Sequence, residues 1–79
     1  MVGVMFKKVL LRHGFRRNRR SDELQYITHW DNVGGVYVTL KPKMAIVEIK
    51  DRNVIHVFKS AKELDAFIKN LRESSIPFM

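Results

Sequence analysis

Val36-Tyr37-Val38-Thr39-Leu40-Lys41-Pro42-Lys43-Met44-Ala45-Ile46-Val47-Glu48-Ile49-Lys50 alternates in side-chain character on both sides of one Pro-Lys step. Alternation is the period of a strand whose two faces meet different surroundings. Proline presets the backbone angle that the second position of a tight turn requires. The stretch therefore predicts two antiparallel strands, Val36–Lys41 and Ala45–Lys50, joined by a two-residue loop. That loop sets the register: Thr39 faces Ile46 and Tyr37 faces Glu48.

Upstream, Leu24–Asp31 alternates and Asn32-Val33-Gly34-Gly35 reads as a turn. Downstream, Asp51-Arg52-Asn53 turns and Val54–Phe58 is β-branched and apolar. The prediction is a four-stranded antiparallel meander over 24–58. With Asp31 opposite Val36, Trp30 faces Tyr37 and Thr28 faces Thr39. A three-residue loop at Asp51–Asn53 places Glu48 opposite His56; a two-residue loop would exchange Ile55 and Val57 with His56 and Phe58. One face is then nearly all aliphatic and forms the core, with Ile27, His29, Val38 and Val47 on it. The other carries Tyr26, Trp30, Tyr37, Lys41, Glu48, Lys50 and His56.

Two helices flank the strands. Phe6, Val9, Leu10 and His13 share one face of a short helix over 4–13, and Gly14 suits the left-handed position after its end, with Phe15 folding back onto Leu10. Ser60 and Glu63 form a capping box for a helix over 60–72, whose apolar stripe is Leu64, Phe67, Ile68 and Leu71. Pro77 ends it, leaving a tail over 73–79 in which Ile76 and Phe78 can dock. The expected fold is α+β: a short N-terminal helix, a four-stranded antiparallel meander and a C-terminal helix packed on one face.

Seventy-nine residues make one domain. It is small enough that a homodimer interface would add useful stability. The absence of cysteine removes disulfides and cysteine-ligated zinc, and fits a cytoplasmic protein. No apolar run approaches the roughly 20 residues of a membrane span. No signal peptide is expected, because Arg12 interrupts the apolar residues that follow Lys7 and Lys8. Met5 is an alternative start to Met1.

The charge is asymmetric. The net charge is +7, and seven basic residues with no acidic one lie among the first twenty: Lys7, Lys8, Arg12, Arg16, Arg17, Arg19 and Arg20. The rest of the chain is balanced. A neutral body with a basic pole attracts a polyanion. Arginine dominates the pole and forks onto phosphate bidentately. The segment 16–22 is expected to be a solvated basic loop. The aromatic face has two readings. It is covered by the first helix, the tail or a second copy, or it is a stacking platform on which Tyr26, Trp30 and Tyr37 meet unpaired bases while Lys41 and Lys50 meet phosphates.

No catalytic signature accompanies this pole. His13, His29 and His56 are too far apart in sequence for a local metal motif, so no metal or cofactor is expected. His29 reads as a core histidine. His56 and Glu48 with a nearby cation would be the minimum for metal-independent ribonucleolysis. Gly34-Gly35 is not followed by a helix, so it is no phosphate-binding loop.

The order helix, antiparallel strands, helix resembles double-stranded-RNA-binding domains and HicA-type toxins, and Leu11-Arg12-His13-Gly14-Phe15 is similar to the helix end of those toxins. The resemblance implies a catalytic histidine early in the first strand, and Arg20-Ser21-Asp22-Glu23-Leu24 has none, so neither activity nor site is carried over. The reading is a non-enzymatic nucleic-acid-binding or regulatory protein with its basic arm on phosphates, the nucleic acid being single-stranded or duplex. The alternatives are an interaction module docking an acidic protein surface, and a ribonuclease-like enzyme.

Overall fold

The computed structural model describes residues 2–31 and 33–73, with the side chains of residues 2–4 left aside. Helix α1 (Val2–Arg12) is followed by strands β1 (Arg16–Arg17), β2 (Gln25–Trp30), β3 (Gly34–Lys41), β4 (Met44–Ile49) and β5 (Val54–Phe58), then helix α2 (Ala61–Glu73). The α+β class holds. The sheet is antiparallel in the order β1-β2-β3-β4-β5, so it has five strands where four were expected. The additional strand comes from the basic segment: Arg16 pairs with Ile27 and Arg17 with Tyr26, so the loop begins only at Asn18. The first helix lies one to two residues earlier than the apolar spacing suggests, and the docking tail expected beyond Glu73 lies outside the described residues.

The local signals act as their chemistry predicts. Gly14 has φ +87°, the Phe15 N–H reaches the Leu10 carbonyl at 2.9 Å, and Phe15 is buried. The Glu63 N–H donates to Ser60 Oγ at 3.4 Å, as a cap requires. The β3–β4 hairpin has the expected register, with Thr39 opposite Ile46 and Tyr37 opposite Glu48.

The two outer hairpins differ. Trp30 pairs with Gly34 and Thr28 with Val36, three positions from the expected partners. Strands have period two, so a slip of three exchanges the faces of β2. Tyr26, Thr28 and Trp30 thereby join Val36, Val38 and Leu40, while Ile27 and His29 go to the other side. Val33, expected in the turn, is buried. At the third turn a 3-10 segment over Lys50–Arg52 and a left-handed Asn53 (φ 55°) make the connection four residues long. Glu48 consequently faces Ile55, and His56 faces Val47 on the core side.

Both helices cover one face. Phe6, Val9 and Leu10 of α1 and Leu64, Ile68 and Leu71 of α2 close over Tyr26, Val36, Val38, Leu40, Ala45, Val47 and Ile49. Among the described residues nothing covers the opposite face. Across the middle of that open face runs one row, Arg16, Ile27, Tyr37, Glu48, Ile55, one residue from each strand.

Candidate nucleic-acid interface

The site is built on the β1 edge of the open face. β1 and β2 form a hairpin whose loop holds Arg19 and Arg20. Asn18 closes it: its N–H donates to the Gln25 carbonyl at 2.8 Å, its Nδ2 to Gln25 Oε1 at 2.7 Å, and its Oδ1 accepts from the Arg20 N–H at 3.1 Å. Gln25 Nε2 in turn donates to Thr39 Oγ1 at 3.1 Å, tying the hairpin to β3. Ser21 Oγ accepts the Glu23 N–H, a local turn bond of the kind serine favours. The arm is therefore a hydrogen-bonded hairpin.

Arg16, Arg17, Arg19 and Arg20 are all exposed. Among the described residues none of the four forms an ion pair, although Asp22 and Glu23 follow directly. Glu23 is instead engaged by Lys41 Nζ. Arg17 Nη1 donates to the Asn18 carbonyl at 2.8 Å, and the remaining guanidinium donors of the four arginines are left at one edge of the sheet.

Tyr37 is the aromatic residue that joins them. A groove of about 380 Å³ is lined by Arg17, Asn18, Arg19 and Arg20 together with Ile27 and Tyr37. A second, of about 430 Å³, shares Ile27 and Tyr37 and continues to Arg16, His29 and Gly35. Lys50 Nζ stands over the Tyr37 ring, 5.1 Å from its centroid and 3.3 Å from Glu48 Oε2, so a cation covers one face of the ring.

The other expected site residues separate into distinct environments. Tyr26 is 4% exposed in the core. Trp30 is half-buried on the helix-covered face, edge-on to Phe15 at 5.7 Å, with the Arg72 guanidinium 5.7 Å from its ring centroid. Neither belongs to a platform with Tyr37, because the β2 register turns both inward. Lys7 and Lys8 are exposed on α1, across the sheet from Tyr37. Arg12 pairs with Asp65 at 3.1 Å and joins the two helices. Lys41 is on the open face, paired with Glu23.

His29, expected in the core, is exposed on the open face opposite Gly35. It and Gly35 line the same groove as Tyr37, a placement the sequence concealed because it depends on the register of β2. Asn18 left a visible trace: an asparagine between two arginine pairs suits a turn anchor.

His56 and Glu48 lie on opposite faces of the sheet, so they do not form an acid–base pair. His56 packs on Phe67 at 4.8 Å between ring centroids. His13 is held between the helices: Nε2 is 2.6 Å from Asp65 Oδ1 and Nδ1 is 3.2 Å from Arg72 Nη1. An arginine only donates, so Nδ1 accepts and Nε2–H donates to Asp65. Among the described residues no three His, Asp or Glu side chains come together as a metal site, and no helix is long and apolar enough to cross a membrane. No family model, no curated protein and no solved structure matches the chain.

Proposed function

We propose that the protein binds nucleic acid, acting by binding rather than catalysis, with the arginine hairpin on phosphates. The observation that carries this is the shared groove: Arg17, Arg19 and Arg20 line it together with Ile27 and Tyr37. Phosphate needs cationic donors, and bases need an apolar or aromatic surface within a few ångströms of them. The hairpin and the open sheet supply both at one edge. The remaining helix-borne lysines, Lys7 and Lys8, contribute long-range attraction from the other side.

The test is a titration with nucleic acid over a range of salt. About four phosphate contacts on a single strand give a slope of log affinity on log salt of roughly −3. Replacing Arg16, Arg17, Arg19 and Arg20 together by Ser flattens that slope and leaves the circular-dichroism spectrum unchanged. Failure of the unaltered protein to bind either single-stranded or duplex nucleic acid at low salt overturns the reading, and leaves an acidic protein surface as the polyanion that the hairpin fits.

A further inference from the structure

We infer that the notch over Gly35, bounded by Tyr37, His29 and Arg16, takes one unpaired nucleobase with its phosphate on Arg16, which makes the ligand single-stranded. This rests on the nucleic-acid reading above. Gly35 is on the open face, directly opposite His29 and two residues before Tyr37. A Cβ at residue 35 would stand 3.2 Å from Tyr37 Cε1, closer than an ordinary contact, and, its chain neighbours aside, within 4 Å of no other atom, so a side chain there would press on the ring edge and fill the space beside it. The groove there, about 430 Å³, is within the size range of small-ligand sites. Its walls match the parts of a nucleotide. Tyr37 and Ile27 offer a ring and an aliphatic floor to a base. The exposed His29 imidazole offers a hydrogen-bonding edge. Arg16 offers a guanidinium to phosphate.

A paired base cannot use this notch. Within a duplex the base faces are stacked on their neighbours, and a shallow sheet depression cannot reach them. The arginines that continue along the hairpin edge then track the backbone of the same strand. DNA and RNA share this chemistry of base face and phosphate, and the ribose hydroxyl and the thymine methyl separate them.

The experiment compares fluorescein-labelled oligothymidylate, oligouridylate and a mixed-sequence duplex of equal length. Tighter binding of either single strand than of the duplex is expected. Tyr37→Ala and Gly35→Val should each weaken single-strand binding by roughly 5- to 150-fold, the value of one stacked base, and weaken duplex binding by less. Tyr37→Phe keeps the ring and should keep the affinity. Valine suits a strand but its Cβ would press on Tyr37 Cε1, so Gly35→Val both fills the notch and shifts the ring; Tyr37→Ala, which only removes the ring, decides. Duplex bound as tightly as single strand, or single-strand affinity untouched by Tyr37→Ala, overturns the subsite and leaves the hairpin contact standing. Absence of all binding overturns both readings, and the arginine-to-serine variant reports on the hairpin alone.

Discussion

Asn18 and Gln25 face each other at the mouth of the arginine hairpin, joined by a backbone bond of 2.8 Å and a side-chain bond of 2.7 Å. Because Gln25 also donates to Thr39, the clamp connects the loop carrying Arg19 and Arg20 to the strand carrying Tyr37. The arginine loop and the strand of Tyr37 are thus held in one geometry. Pre-organisation of this kind lowers the ordering cost of binding.

Asn18→Ala tests that role. It removes two side-chain bonds and no charge. A loss of about 0.5–1.5 kcal/mol per bond bounds the effect on stability. Nucleic-acid affinity should fall while the salt slope stays as in the unaltered protein, since the arginines are still present. A slope that flattens as in the arginine-to-serine variant would show that the loop no longer delivers its charges, and an unchanged affinity would show that the clamp does not matter for binding.

The helix–helix contact supplies a pH prediction. The hydrogen bond from His13 holds the Asp65 carboxyl below its ordinary value, with Arg12 acting in the same direction against partial desolvation. A carboxyl lowered in the folded state binds a proton more readily in the unfolded chain. Its contribution is therefore present above the unfolded value of about 4 and is lost as pH falls through the lower folded value. Asp65→Asn should remove this acid-side loss. Melting curves collected from neutral pH downward check it: the difference in melting temperature between the two proteins should shrink below about pH 4. A constant difference would mean that Asp65 does not carry the acid dependence.

How much of this was legible follows from how each segment fixes itself. The β3–β4 hairpin was legible because Pro42-Lys43 allows one short loop and the flanking alternation is unbroken. The helix ends were legible because Gly14 and Ser60 have local chemistry that does not depend on the rest of the fold. β2 was not. Tyr26, Thr28 and Trp30 on one side and Ile27 and His29 on the other are both partly apolar, so neither register is excluded by its pattern. The glycine pair attracted the turn assignment, whereas β3 begins at Gly34 and buries Val33. In β5, Val54-Ile55-His56-Val57-Phe58 is apolar in both phases, and a longer loop decided it. β1 is two arginines, too short for any period to show. The site shares that history: its charges were evident, but its aromatic member and its histidine depended on the β2 register.

Trp30 separates this arrangement from a platform built on all three aromatic residues. It is the chain's one tryptophan, so its emission reports a single position. On the helix-covered face, edge-on to Phe15 and beside Arg72, it should emit to the blue of free tryptophan. Oligonucleotide bound on the open face lies across the sheet from it and should leave that emission unchanged. Trp30→Ala should destabilise the fold by up to about 3 kcal/mol, the lower end for a large aromatic because the ring is only half-buried. At a temperature where the variant is still folded, its nucleic-acid affinity should match that of the unaltered protein. Strong quenching of Trp30 on addition of oligonucleotide, together with lost affinity in a folded Trp30→Ala variant, would place the ligand on the helix-covered side and move the interface away from Tyr37.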